Sequence, residues 1–424
     1  MLDRLLFKKN REKLTNNITP GAICVFESND QMPTNADGLM PFRQNNDLFY
    51  LTGLDQEDTS LIIYPDAKNE DYREILFIKQ TNETIRVWEG YKLTKKEAQK
   101  KSGIKTVLWY DEFVSILNKL IPDSSCTYLS SNEHPRANII VESRNERLKN
   151  KLMCLFPKNT FKQVAPIMHR IRSIKELEEI NTIKKACDIT KSGFNRILKF
   201  IKPGIFEYNI QAELIHDFIN HSSRGFAYEP ILASGKNACI LHYTDNNQVL
   251  KKGDVILMDF GAEYNNYASD LTRCVPVSGK FTTRQKKVYN SVLRVMREAK
   301  KMLKPGVFLN EYEKNVGKLM EKELVDLGLI SLEEIKRQKS TPAYKKYFMH
   351  GTSHHLGLDV HDVSDSSLPL SEGMVLTCEP GIYIPEENLG IRLENDILIS
   401  KNKAIDLMNE ILIEPEEIEN ELND

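Results

Sequence analysis

The chain has 424 residues, with 58 Lys plus Arg against 60 Asp plus Glu, a formal charge of −2 and an apolar share of 41%. That balance excludes global disorder and gives no pull towards nucleic acid or an anionic membrane, while the length allows two or three domains of roughly 150 residues. Seven cysteines without a C-x-x-C pair argue against a disulfide framework or a thiolate zinc site, and neither a signal peptide nor a membrane-length apolar run is present, so a reduced cytoplasm is the expected location.

Residues 1–165 alternate strand-like and helix-like segments. AICVF (22–26), SLIIY (60–64) and REILFI (73–78) are short apolar runs bounded by Gly, Pro, Asn and Asp. TKKEAQKKS (94–102) and DEFVSILNKLI (111–121) read as helices, and in the second Phe113, Ile116, Leu117 and Leu120 share one face. The alternation predicts an α/β N-terminal domain. A boundary is expected within 164–175, where Ser173-x-x-Glu176 has capping-box spacing ahead of a long amphipathic run. Ile174, Leu177, Ile180, Ile183 and Cys187 form the expected core-facing stripe of that run. Residues 166–424 then make a second domain, whose acidic end, 414–424, is expected to fray into solvent.

The second domain contains an internal repeat. FIKPGIF (200–206) answers MLKPGVF (302–308), and each Pro-Gly is placed to end one helix shortly before the next begins. GDVILMDFG (253–261) answers GMVLTCEPG (373–381), which sets Asp259 opposite Glu379. ASDLT around Asp270 answers RLENDI around Glu394. Three matches in the same order predict two similar halves of one α+β domain, closed about an approximate two-fold.

Such a repeat brings four carboxylates to one point. They cannot share a dry site without a cation, because repulsion and desolvation oppose their ionisation. Two divalent ions balance four negative charges. The oxygen-rich donor set suits Mn²⁺, with Co²⁺, Fe²⁺ and Zn²⁺ as further candidates. Two ions ~3.5–4 Å apart can activate a water and clamp a carbonyl substrate. A single Asp at a strand end is ordinarily a turn or cap residue; four at matched repeat positions call for a common purpose. Histidine is concentrated nearby: HGTSHHLGLDVH holds His350, His354, His355 and His361, and His242 in ILHYTDN has the corresponding place in the first half. One imidazole could complete a metal shell, and others could donate protons or hold an oxyanion. Arg392, two residues before Glu394, is expected on the same strand face, there to orient that carboxylate or a substrate terminus, or simply to form a surface ion pair. Dinucleotide, P-loop, nucleophile-elbow and H-E-x-x-H motifs are absent.

ILASGKNACILHYTDN (231–246), GDVILMDFGAEYNNYASDLTR (253–273), MHGTSHHLGLDVHD (349–362), LTCEPGIYI (376–384) and GIRLENDILI (390–399) resemble the pita-bread metallopeptidases, in particular the Xaa-Pro aminopeptidases. FRQNNDLFYLTGL (42–54) is similar to that family's non-catalytic first domain. The resemblance implies dinuclear-metal hydrolysis that releases the first residue of peptides with proline second. It implies Asp259 as ligand of one metal, Asp270 and Glu394 as bridges, and His354 and Glu379 as the remaining ligands of the other. His242, His350 and His361 would position the substrate, Glu379 would also move protons, and Arg392 would stand near the bridging glutamate. His355 would be non-catalytic. Trp88, in VWEG, resembles a tryptophan that reaches a neighbouring subunit's site, which implies a homodimer or homotetramer. The rival readings are Xaa-Pro dipeptidase (prolidase), methionine aminopeptidase, creatine amidinohydrolase and a non-catalytic pita-bread peptide-binding module. Prolidase shares the ligands, but HYTDN and SHHLGLDVHD look more like the aminopeptidase. The non-catalytic module would have lost ligands that are all present here.

Overall fold

The computed structural model describes residues 2–131 and 140–423. The chain divides into two compact units, Met1–Arg172 and Ser173–Asp424.

The first unit is built on one six-stranded sheet. Its strands are β1 (Ala22–Glu27), β2 (Ser60–Ile63), β3 (Glu74–Ile78), β4 (Thr106–Trp109), β5 (Cys126–Leu129) and β6 (Phe161–Gln163), in the order β4-β3-β2-β1-β5-β6. β1 runs antiparallel to β2 and parallel to β5, with Cys24 opposite Ile63 and Tyr128. β1 and β2 are buried at every residue, which is why they read as unbroken apolar runs rather than alternating ones. Phe113 and Leu117 of the helix Phe113–Leu120 close the core against Ile62, Ile75 and Phe77, with Ile116 at its margin. The helix Lys95–Ser102 starts on a capping box between Thr94 and Glu97.

The second unit contains β7 (Ile231–Ser234), β8 (Val255–Phe260), β9 (Glu263–Tyr264), β10 (Tyr267–Ala268), β11 (Leu271–Pro276), β12 (Val375–Cys378), β13 (Gly381–Ile384), β14 (Leu389–Arg392), β15 (Asn395–Ile399) and β16 (Ala404–Asp406). One three-stranded sheet has the order β11-β8-β7 and another β12-β15-β16, while β9–β10 and β13–β14 are separate pairs. The two sheets meet where Glu394 N donates to Thr272 O at 3.1 Å. Arg273, fully buried, fastens the junction. Its Nη1 donates to Glu394 O at 2.7 Å and Thr272 O at 2.9 Å, its Nη2 to Asn395 Oδ1 at 2.7 Å and its Nε to Leu412 O at 2.8 Å. A guanidinium is tolerated in such a place only when its donors are met.

The repeat read from the sequence is present in the backbone. Helices Leu177–Leu198 and Glu207–Asn220 flank the first Lys-Pro-Gly turn, and Thr283–Met302 and Leu309–Asp326 flank the second. Gly204 (φ 94°) and Gly306 (φ 87°) take the left-handed turn that only glycine adopts at little cost. Gly204 N donates to Leu250 O at 2.9 Å and Leu250 N to Ile205 O at 2.8 Å; Gly306 N donates to Leu370 O at 2.9 Å and Leu370 N to Val307 O at 2.8 Å. The same pair of bonds thus recurs in both halves.

Three local expectations are corrected. Ser173 does not cap the long helix: it is the last residue of the helix Ala165–Ser173, and the cap is Glu176, boxed with Glu179. The core stripe consequently starts later. Ile174 is 41% and Leu177 67% exposed, whereas Ile180, Ile183 and Cys187 are buried. Lys175 takes the inward position instead, bonded to Asp362 Oδ2 at 2.9 Å. The acidic end does not fray. Residues Pro415–Asn423 form a helix with Ile418 fully buried, and Glu416 and Glu419 pair with Lys286 at 2.9 and 3.1 Å. Asp424, which completes the expected acidic segment, lies outside the described residues. Among those residues no helix is long and apolar enough to cross a membrane.

Candidate active site

Matched strand ends deliver the carboxylates. Asp259 is the penultimate residue of β8, and Asp270 directly precedes the neighbouring strand β11. Glu379 directly follows β12, and Glu394 directly precedes its neighbour β15. The glycine two residues after each first carboxylate has a steric reason. A Cβ on Gly261 would lie 1.8 Å from Ser269 O, and one on Gly381 would lie 2.7 Å from the Tyr383 hydroxyl. Ligand atoms of Asp270, His354 and Glu394 all lie within 4.8 Å of one another. His354 Nε2 stands 3.5 Å from Asp270 Oδ2 and 3.6 Å from Glu379 Oε1.

The electrostatics fit a cation. Burial first, then repulsion from Asp270, Glu379 and Asp259, pushes Glu394 well above the usual carboxylate range. Burial also raises Asp259, against the pull of Arg392, and carries Glu379 up to about 7. Burial alone would lower His354, but its bond to Asp270 and the charges of Glu379 and Asp270 lift it to about 9. The cluster therefore gathers protons in place of positive charge. His354 Nδ1 lies 3.0 Å from His355 O, and a carbonyl only accepts, so Nδ1 carries the hydrogen and Nε2 is left as a donor atom for a metal. Oxygen and imidazole donors at this spacing fit a divalent ion.

A hydroxyl and guanidinium frame holds the carboxylates. Arg392 pairs directly with Asp259, and its Nη1 donates to the Tyr383 hydroxyl at 2.9 Å. Its Nε donates to Thr272 Oγ1 at 3.1 Å, and Thr272 Oγ1 donates to Glu394 Oε2 at 2.6 Å. Arg392 therefore reaches Glu394 through Thr272. It is buried, not on the surface, and it ends β14 whereas Glu394 lies beyond that strand, so the expected shared strand face is corrected. The Tyr228 hydroxyl lies 2.6 Å from Asp259 Oδ1 and 2.5 Å from Asp270 Oδ1.

The histidines fall in different environments. His350 Nδ1 bonds Gly351 O and Nε2 bonds the Tyr383 hydroxyl, both at 2.7 Å. Nδ1 thus carries the hydrogen and Nε2 accepts, and burial with the nearby Arg392 charge holds His350 neutral, down at about 3. Neither nitrogen has a spare hydrogen for an oxyanion. The His361 ring meets the His354 ring edge-on at 4.3 Å. His242 is exposed, on the segment after β7, close enough for its charge to act on His350. His355 is buried, and its backbone carbonyl is what fixes the His354 tautomer. Trp88 lies in the first unit, in the helix Glu83–Glu89, and is 82% exposed. Tyr228, Thr272 and Tyr383 were not singled out in the sequence; Thr272 enters the site as the cross-strand partner of Asp259 in β8.

The model of metallopeptidase family M24 matches residues 181–401, and that of the aminopeptidase P N-terminal domain matches residues 7–130. The chain is 35% identical to an Xaa-Pro aminopeptidase of Escherichia coli over 99% of its own length and 97% of that protein's. It is 30% identical to an Xaa-Pro aminopeptidase of Haemophilus influenzae over 98% of its length and 97% of that protein's. Zn-substituted E. coli aminopeptidase P in complex with product superposes with a TM-score of 0.90 at 32% identity, covering 100% of this chain and 98% of that one. With both domain models in place and the metal-type cluster at the matched strand ends, the chain belongs to metallopeptidase family M24.

Proposed function

We propose that this chain is an Xaa-Pro aminopeptidase, which removes the first residue from peptides that carry proline second. The observation that carries the reading is the meeting of Asp259, Asp270, His354, Glu379 and Glu394 at one point of a chain similar over its whole length to proteins of that activity. These five residues would hold two divalent ions, with Asp270 and Glu394 shared between them. Mn²⁺ is the ion we assign, on the strength of the oxygen-rich donors. Such ions, when bound, polarise a carbonyl and acidify water.

The chain's own groups do the rest. Glu379 accepts a proton at a carboxylate oxygen and returns one to the leaving proline nitrogen. His242 and His361 position the scissile bond. His350 acts by orientation, since both its nitrogens are engaged with Gly351 and Tyr383. A bond before proline has no N–H, so the site needs no acceptor there. Trp88 is assigned to a contact between subunits of a homodimer or homotetramer, a setting that suits so exposed an indole. All seven cysteines are free, which fits a reducing compartment such as the cytoplasm.

The test uses Mn²⁺-loaded protein with a tripeptide Xaa-Pro-Yaa and the dipeptide Xaa-Pro. Cleavage of the tripeptide to Xaa and Pro-Yaa is expected. Activity confined to the dipeptide would make the protein a prolidase. Hydrolysis of neither, with metal stoichiometrically bound, would overturn both and leave a peptide-binding module.

A further inference from the structure

In each half of the second unit, one carboxylate outside the metal-type cluster collects donors from the segment that carries that half's candidate active-site histidines, His242 in the first and His350 and His354 in the second. Glu207 opens the helix Glu207–Asn220 and is fully buried. It accepts from Ser234 N at 2.8 Å, Ser234 Oγ at 2.7 Å, the Tyr243 hydroxyl at 2.8 Å and Gln248 N at 3.0 Å. Its own amide donates to Gln248 O at 2.9 Å. Ser234 ends β7, and Tyr243 and Gln248 lie on the irregular segment that follows and presents His242.

Glu313 does the same in the other half, from the helix Leu309–Asp326. Its two oxygens accept from Thr352 N at 2.9 and 3.0 Å, from Thr352 Oγ1 at 3.1 Å and from Ser353 N at 3.2 Å. Thr352 lies between His350 and His354, and its carbonyl accepts from Glu379 N at 2.8 Å.

The two helices are equivalent in the repeat, since each follows its Lys-Pro-Gly turn. The two carboxylates are not equivalent, because Glu207 is the first helical residue and Glu313 the fifth. The arrangement therefore answers one demand twice. Irregular segments carry amides with no strand partner, and a carboxylate is the side chain that accepts several of them at once.

We propose that Glu207 and Glu313 are positioning residues of the active site: Glu207 sets the segment presenting His242, and Glu313 sets the segment presenting His350 and His354 together with the amide of Glu379. The proposal rests on the aminopeptidase reading for its kinetic consequences. Glutamine keeps the size of either side chain but turns one acceptor into an NH₂ that opposes the donors already there.

The experiment uses the full-length, Mn²⁺-loaded chain and an Xaa-Pro-Yaa tripeptide. E207Q lowers kcat/KM by at least about ten-fold while leaving Mn²⁺ affinity unchanged. In a His242→Ala background the same change costs less than about two-fold, because what it positions is gone. E313Q weakens Mn²⁺ binding by about ten-fold or more in calorimetric titration, since the Glu379 amide is bonded to Thr352 O and His354 lies two residues further along the same segment. Equal losses for E207Q with and without His242 would reduce Glu207 to a structural residue, and an unchanged Mn²⁺ affinity in E313Q would overturn the role of Glu313. If E207Q does not fold, Tyr243→Phe removes one donor from the same carboxylate; its smaller loss must likewise vanish without His242, and a loss that persists overturns the role. If the parent chain does not cleave the tripeptide, the aminopeptidase reading fails separately. Amide hydrogen exchange over residues 240–249 then decides the placement: about ten-fold faster exchange in E207Q supports it, and unchanged exchange refutes it.

Discussion

Tyr228 has one hydroxyl proton and two carboxylates within bonding distance, Asp259 and Asp270. It satisfies one at a time, so the site depends on a second set of donors, and Arg392 heads that set. Thr272 is the link through which Arg392 reaches Glu394. Replacing Thr272 by Val keeps the shape and removes the hydroxyl. Mn²⁺ affinity is expected to fall by about 10–100-fold, the usual effect of losing a residue that orients a ligand. Calorimetric titration checks this, and an unchanged Kd would mean that Glu394 is held without Thr272. Glu394→Ala goes further and removes a proposed shared ligand. Its kcat/KM on a tripeptide should drop by more than about 100-fold, with metal content per chain reduced. Near-parental turnover in metal-replete buffer would refute the assignment. The repeat singled out the four carboxylates because it aligns them two by two, and the resemblance to the pita-bread metallopeptidases added His354. The sequence was silent on Tyr228 and Tyr383, since a hydroxyl's partner is set by tertiary approach: Tyr228 and Asp259 are 31 positions apart with no pattern joining them.

Among elements, the informative contrast is between two kinds of glycine. Gly261 has no room: any Cβ there collides with the backbone of Ser269, and the strand ends that carry Asp259 and Asp270 would be forced apart. Gly204 has open space, and only its positive φ asks for glycine. Gly204→Ala should therefore cost about 1–2 kcal/mol, the penalty of the left-handed conformation. Gly261→Ala should cost about 3 kcal/mol or more, as overpacking against backbone that cannot move aside. Urea unfolding monitored on the second unit compares them, and equal costs would show that the Ser269 segment relaxes freely. Element existence was largely legible: AICVF, SLIIY and REILFI became β1 to β3, and both Lys-Pro-Gly turns stand where expected. The misjudged boundaries have separate causes. Ser173 has the spacing of a cap but is consumed by the preceding helix, and the tail's charges suggested solvent although Ile418 and Lys286 supply an anchor. At Ser173 one local signal outweighed another, whereas at the tail a long-range contact outweighed a local one.

For the molecule as a whole, the carboxylate cluster makes stability depend on pH in opposite senses with and without metal. Glu379 sits at about 7 in the fold against an ordinary value of 4.5, and His354 at about 9 against 6.5. Between these values the folded chain binds more protons than the unfolded one. Stability of the metal-free protein therefore falls as pH rises, first through the Glu379 window and then through that of His354. A metal ion takes the place of those protons, so its binding releases them and strengthens over the same range. The rise in Tm caused by Mn²⁺ should accordingly be larger at pH 8 than at pH 5. At a free concentration 100 times Kd the stabilisation is about 2.7 kcal/mol. Hydrogen exchange should place the protection in Ser173–Asp424 and leave Met1–Arg172 unchanged, because every proposed ligand lies in the former. A metal effect that shrinks as pH rises, or one spread over both units, would remove the ion from this cluster, since no other placement of positive charge relieves Glu379 and Glu394 while requiring the proton of His354 to leave.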